Sequence, residues 1–508
     1  MGNSRTSKSI KNSIVALTYY FVGLVLQFIS RKIFLQYLGT EILGLNTTVT
    51  NLLQFLNLAE LGVGAAVSFT LYKPLYENDK NSINEIISLM GWMYRRIALF
   101  VIGGASILMC FFPLIFNKIS LPLWYAYASF GVLLFSSLLG YFVNYKQVLL
   151  SADQKDYKIQ YSLQSAKLVK FGCQICAMIT MDNPYVWWLT LEVIFAVIGA
   201  LALDITTKKT FPELEINIRD GRVLQSKYTL VSTKIKQVFF HKIGTFALTQ
   251  SSPIIIYAYS SLEIVALYGN YVLITNGVLS LMNAVFNSMN AGVGNLVAEG
   301  NKHRILAVFE ELFSIRFVLV CTLCYGVYKI APDFISLWIG KEYLLDNITL
   351  ALMVAILYVS LSRSVVDAYI SAYGLYNDIW APIVEACLNV GLSVLLGYFW
   401  GLHGILLGVF ISLFIVILCW KPYWLFKNGF KCSISKYVIM YFKHIFMGSV
   451  LWIITDFIYI KLHVQGEDAI SLLVNILSSA GVYFICMVLL VLLFNPNVRQ
   501  RVRRYVHI

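Results

Sequence analysis

Apolar stretches of about 17–25 residues, each able to cross the ~30 Å of hydrocarbon in a bilayer, recur from one end of this chain to the other. Of 508 residues, 59% are hydrophobic and only 13% charged, against roughly 25% charged in a soluble domain. The chain therefore reads as an all-α polytopic membrane protein. Windows near 12–37, 43–72, 95–117, 123–150, 159–180, 185–206, 238–260, 266–298, 311–331, 346–373, 380–400, 402–420, 440–461 and 469–494 give about fourteen transmembrane helices. The first span follows Arg5, Lys8 and Lys11 with no small-residue cleavage site, so it reads as an uncleaved helix.

The net charge of +13 is unevenly placed. With the N-terminus inside, the even-numbered connections are cytoplasmic. They carry Lys73, Lys80, Arg95 and Arg96, then Lys155 and Lys158, then seven basic residues between Lys208 and Lys236. Lys302 and Arg304, Lys421 to Lys436, and Arg499 to Arg504 continue the pattern, whereas the other face has little beyond Lys118, Lys341 and Lys461. That bias puts both termini in the cytoplasm. It accounts for the basic excess without any nucleic acid.

Sliding the chain by 230 residues lays Leu61-Gly62-Val63-Gly64 on Ala291-Gly292-Val293-Gly294, Asn57 on Asn287, and Glu60 on Asn290. At an offset of 220, Ser151-Ala152 falls on Ser371-Ala372. The offset amounts to six spans, the signature of two pseudo-symmetric six-helix lobes with a site at their interface. The expected organisation is an N-terminal lobe over 1–206, a cytoplasmic loop over 207–236, and a second lobe over 237–420. An extra helix pair with a basic tail then fills 421–508.

Polar residues sit where a lipid-facing helix would not keep them. In the second span Asn46, Thr50, Gln54, Asn57, Glu60, Gly64 and Ser68 fall within an arc of roughly 120° at 100° per residue. In the eighth, Asn276, Ser280, Asn283, Asn287, Asn290 and Gly294 fall within roughly 80°. Such faces line either a hydrated cavity or a tightly packed helix contact. Arg31, Lys167, Lys170 and Arg363 lie inside spans, against Glu60 and Asp367. This net cationic set suits an anionic substrate such as a phosphate, whose oxygens are strong acceptors. A carboxylate such as Glu60 or Asp367 can serve proton or sodium coupling. Blander roles remain for each: Arg363 and Asp367 at i and i+4 can neutralise one another, Lys167 and Lys170 can snorkel, and Arg31 can anchor a helix end. His241-Lys242 read as interfacial, and Pro253 marks a kink. Cys173/Cys176 and Cys321/Cys324 read as buried small hydrophobes, so no metal site and no catalytic residue is assigned.

The run ISRKIFLQYLGTEILGLNTTVTNLLQFLNLAELGVGAAVSFTLYKPL resembles the first two helices of bacterial O-antigen and capsular polysaccharide flippases. LSADQKDY, FFHKIG, LEIVALYGNYVLI and FISLWIGKEYLL follow in matching order. That family belongs to the multidrug/oligosaccharidyl-lipid/polysaccharide exporter superfamily. The resemblance implies a pair of six-helix lobes that alternate in access. They would move an undecaprenyl-pyrophosphate-linked oligosaccharide to the outer leaflet of the bacterial inner membrane. On this reading Arg31, Lys167, Lys170 and Arg363 hold the pyrophosphate, while Asn57, Asn283, Asn287 and Asn290 meet sugar hydroxyls. Glu60 or Asp367 takes the coupling ion, and no cofactor is needed. Partners would be the lipid-linked oligosaccharide, membrane lipids and, within a biosynthetic complex, a polysaccharide polymerase and chain-length regulator. A multidrug exporter of the same superfamily and a peptidoglycan lipid II flippase are the competing readings. An enzyme is disfavoured, because the outer loop 332–346 is too short to house a catalytic domain. No Gly-rich Lys motif for ATP is present.

Overall fold

The computed structural model describes residues 2–60, 62–287, 289–375, 377–378, 380–462, 468–494 and 499. Among these there is no strand, and each of the fourteen apolar windows falls on helix. Nine helical stretches are long and apolar enough to cross a membrane by length and composition. Trp380–Phe430 contains two of the expected spans, and Lys11–Leu56 contains the first and part of the second.

Packing divides the chain into two compact units, Met1–Ala266 and Leu267–Ile508. The first holds α1 (Gly2–Leu56), α2 (Val63–Glu77), α3 (Lys80–Cys110), α4 (Trp124–Phe142), α5 (Ser165–Thr180), α6 (Pro184–Thr210) and α7 (Thr229–Tyr259). Within it α1 packs on α4, α5 and α7, α2 on α3 and α7, and α6 on α4 and α5. The core joins Val63, Val67 and Leu71 of α2 to Ile86, Met90 and Tyr94 of α3 and Tyr141 of α4. The helix that the sequence reading places at the head of the second lobe, α7, thus makes these contacts with α1 and α2.

The segment 207–236, expected as a loop, is largely ordered. α6 continues to Thr210, and a short helix covers Gly221–Lys227. It is held on the first turns of α3 by ion pairs Lys80–Glu213 and Lys227–Glu85 and by the Asn217 N–H donating to Ser88 Oγ at 2.9 Å. Composition marks this stretch as polar; it does not reveal that α3 carries Glu85 and Ser88 to receive it.

The second unit contains α8 from Leu267 onward (the helix runs Leu262–Asn287), α9 (Met289–Ala298), α10 (Lys302–Trp338), α11 (Asn347–Ser362) and α12 (Ser364–Ala372). After these come α13 (Trp380–Leu413), α14 (Ser435–Leu462), α15 (Ala469–Ile476) and α16 (Val482–Phe494). α10 is the hub, touching α11, α12, α14, α15 and α16. Its Phe309, Phe313, Phe317 and Tyr325 form an aromatic column against Tyr369, Phe430, Tyr437 and Tyr483. α13 is two helices joined at Gly401, whose φ of 53° only glycine takes without strain. Its two arms close on each other through Gly404 and Gly408. A Cβ at Gly404 would meet the Leu396 carbonyl oxygen at 2.0 Å. Small residues four apart let backbones approach in this way.

The outer faces are apolar. On α14, Ile439, Phe442, Phe446, Ile453, Phe457 and Ile460 are 63–71% exposed, at the three-to-four residue spacing of one helix face. An exposed row of that kind belongs against acyl chains.

Candidate functional site

In the first unit the polar face of the second span turns toward neighbouring helices. Asn46 is buried and its Oδ1 accepts from Ser129 Oγ at 2.7 Å and from the Tyr185 hydroxyl at 3.2 Å. Further along, the α-helix stops at Leu56, Asn57–Glu60 forms a 3-10 turn, and Gly62 takes φ 92° before α2 begins. The continuous 100° face expected over 43–72 therefore ends at this break. Gly62 is required there twice, by its φ and because a Cβ would lie 3.0 Å from the Ile235 carbonyl oxygen of α7.

The break aims two polar side chains at α3 and α4. Asn57 Oδ1 accepts from the Tyr141 hydroxyl at 2.8 Å and from Ser137 Oγ at 3.3 Å. Glu60 Oε1 accepts from the Tyr94 hydroxyl at 2.9 Å. Tyr94 and Tyr141 touch, with ring centroids 5.6 Å apart. The result is a half-buried carboxylate whose described partner is a neutral phenol. Such a group can exchange a proton or hold a small cation without dismantling an ion pair. The two tyrosines were not singled out from sequence, because a tyrosine inside an apolar span looks like core.

The cationic candidates fare differently from one another. Lys170 Nζ donates to Glu192 Oε1 at 2.7 Å, and Gln174 Nε2 reaches Glu192 Oε2 at 3.2 Å. Glu192 was passed over in the sequence, yet it neutralises Lys170. Lys167 is exposed, one turn from Phe171, with Nζ 5.9 Å from the ring centroid. Arg31 is half-buried and Nη2 donates to the Ala266 carbonyl at 3.2 Å.

In the second unit Arg363 Nε and Asp367 Oδ2 are 2.7 Å apart, with Lys421 Nζ 3.7 Å from Asp367 Oδ1. Glu385, 3% exposed, is buried beside this group. Two cations thus face two carboxylates. Lys170 and Arg363 are both paired, and counting Glu192, Lys421 and Glu385 makes the positive bias smaller than the sequence count suggests. Asn276 and Asn283 on α8 are exposed, so that part of the eighth-span stripe is accessible. The side chains of Asn287 and Asn290, like those of His241 and Lys242, lie outside the described residues.

No known family's sequence profile matches the chain, and no curated protein matches it by sequence. Solved structures do. The lipid II flippase MurJ in an inward closed conformation aligns with TM-score 0.63 at 14% identity, over 94% of this chain and 98% of its own. The chain shares the fold of that protein. An inward-facing multidrug resistance transporter of the MATE family, in the MOP superfamily, aligns with TM-score 0.61 at 14% identity, over 82% of this chain and 99% of its own. A MOP superfamily transporter from Pyrococcus furiosus, described as having a binding pocket of reversed polarity, gives TM-score 0.51 at 14% identity, over 84% and 97%. At these identities the likeness establishes the fold: an all-helical, multi-pass membrane protein built like MOP superfamily transporters, with transporters rather than enzymes as its structural neighbours.

Proposed function

We propose that the protein is a flippase for an undecaprenyl-pyrophosphate-linked oligosaccharide, working by ion-coupled alternating access in O-antigen, capsule or exopolysaccharide assembly. What supports a flippase over a multidrug exporter is the extent of the likeness to the lipid II flippase MurJ, 94% of this chain, against 82% for the MATE family transporter. The five flippase-like segments in matching order support the glycan class. The protein resides in the bacterial inner membrane with both termini in the cytoplasm, as its basic asymmetry directs.

Moving a pyrophosphate and sugar hydroxyls through hydrocarbon costs several kcal/mol for each unpaired polar group. Asn283 on the exposed part of α8 offers a donor and an acceptor to the sugar, and Asn287 and Asn290 stay as the further contacts that the sequence suggests. Lys167 and Arg31 serve the pyrophosphate, and Glu60, held by Tyr94, takes the coupling proton or sodium ion. Asp367 is the lesser candidate, since Arg363 occupies it. No cofactor is required. A polymerase and a chain-length regulator would receive the product.

One observation favours the multidrug reading. With Lys170 and Arg363 ion-paired, part of the positive charge that argued against cationic drugs is cancelled. Reconstitution decides between them. In proteoliposomes the wild type should expose lipid-linked oligosaccharide to an external glycosidase when a proton or sodium gradient is applied, and Glu60→Gln and Lys167→Ala should each slow it. Gradient-driven export of a cationic dye with no glycolipid transfer would reject the flippase assignment.

A further inference from the structure

A buried cation of the second unit takes part in neither the ion pairs above nor the proposed pathway. Arg316 of α10 is 2% exposed. Its Nε donates to the Leu361 carbonyl at 2.9 Å, at the end of α11, where carbonyls lose their ladder partners. Its guanidinium carbon stands 4.0 Å from the Phe286 ring centroid. Nη1 and Nη2 are buried and reach no hydrogen-bond partner among the described residues. An arginine is always protonated, and a buried charge without an anion is strongly disfavoured. Capping α11 needs only one N–H and leaves the other donors unexplained.

Phe286 has a second neighbour. With Met289, Val293, Leu312, Ser364 and Val365 it lines a small cavity, with room for about one water. Ser364 Oγ is also buried and without a partner among the described residues. A guanidinium fork and a hydroxyl, both lacking acceptors, therefore share one aromatic ring as neighbour. A rotamer change of Phe286 is the movement that would join them.

We propose that Arg316, with Ser364, is an anion site that takes a phosphoryl oxygen. Both terminal nitrogens of an arginine can donate to one charged phosphoryl oxygen, a strong acceptor. The site admits one oxygen rather than a whole pyrophosphate, so it acts on the edge of a larger phosphate-bearing ligand. Identifying that ligand as the carrier lipid's pyrophosphate rests on the flippase reading; an ordinary phospholipid headgroup has the same chemistry.

The test uses the full chain in a phosphate-free maltoside detergent, with inorganic pyrophosphate or phosphatidylglycerol added separately. Binding is followed by calorimetry and by the thermal unfolding midpoint. The wild type should bind one or both. Arg316→Gln should weaken binding by about 10- to 100-fold, yet unfold no earlier than the wild type without ligand, because an unpaired buried charge is gone. Arg316→Lys, which keeps the charge without the fork, should fall between them and covers the case in which the glutamine variant misfolds. Loss confined to the pyrophosphate arm assigns the carrier headgroup, and loss confined to the phosphatidylglycerol arm assigns a resident lipid. Equal binding by wild type and Arg316→Gln, or no binding by the wild type in either arm, overturns the site. Glycolipid transfer in proteoliposomes is scored independently, so a failed transport reading leaves the binding result interpretable.

Discussion

The ion pair between Lys170 and Glu192 offers the sharpest test of how this chain tolerates charge inside its spans. Both side chains are about 15% exposed, at 15% and 14%, and 2.7 Å apart. At an effective dielectric of 20, two unit charges at that distance attract by about 6 kcal/mol, most of it offset by the cost of removing them from water. Lys170→Met strands the carboxylate with Gln174 alone, and losing one partner of a buried pair costs about 3–5 kcal/mol. Lys170→Met with Glu192→Leu removes both charges and should return to within about 1–2 kcal/mol of the wild type. The measurement is a double-mutant cycle on detergent-solubilised protein, with urea or thermal unfolding read by tryptophan fluorescence. A coupling of at least about 2 kcal/mol is expected. Additivity within about 0.5 kcal/mol would refute the reasoning. If the stable double variant also transports at the normal rate, Lys170 serves the fold and not the substrate.

Three further perturbations follow from the geometry. Gly404→Ala should separate the arms of α13 and cost about 1–3 kcal/mol or more, whereas Gly103→Ala, where a Cβ meets nothing within 4 Å, should leave the unfolding midpoint unchanged or raised. Tyr141→Phe removes the 2.8 Å donor to Asn57 but leaves Ser137; about 1 kcal/mol of destabilisation is expected, and an unshifted unfolding curve would deny that bond any weight. Asp346 caps α11 through the Ile348 and Thr349 N–H groups and lies 3.0 Å from His403. Burial alone would raise its carboxyl, but hydrogen bonds from Thr349 and His403 outweigh that and hold it down to about 2. A depressed carboxylate stabilises the fold above its unfolded value of about 3.9 and loses that contribution as pH falls toward 2. Asp346→Asn should therefore cost about 0.5–1 kcal/mol at neutral pH, the low end because the group is half exposed, and the difference should shrink through pH 2 and vanish only below it.

The helical membrane class was legible because hydropathy over twenty residues survives local irregularity. Individual side-chain roles were not, and the reasons are specific. The stripe arithmetic on the second span assumed one helix from 43 to 72, and Gly62 with the 3-10 turn before it ends that assumption. Gly62 and Gly64 were visible as a repeat motif but not as a backbone break. Charge bookkeeping failed for a different reason. Arg363 and Asp367 neighbour each other along one helix and could be paired on paper. Lys170 and Glu192, and Asp367 and Lys421, meet only through tertiary packing. Arg316 was read as part of a span and given no role; the signal available was that it is an arginine amid Phe, Val and Leu.

The apolar row on α14 carries a requirement on its surroundings. From Ile439 to Ile460 is twenty-one residues, about 32 Å at 1.5 Å per residue, close to the ~30 Å hydrocarbon layer of an average bilayer. Reconstitution in short-chain lipids would force this helix to lean or the bilayer to thicken around it. Because α14 packs on the hub helix α10, acyl-chain length becomes a dial on the second unit, adjustable without touching a single residue.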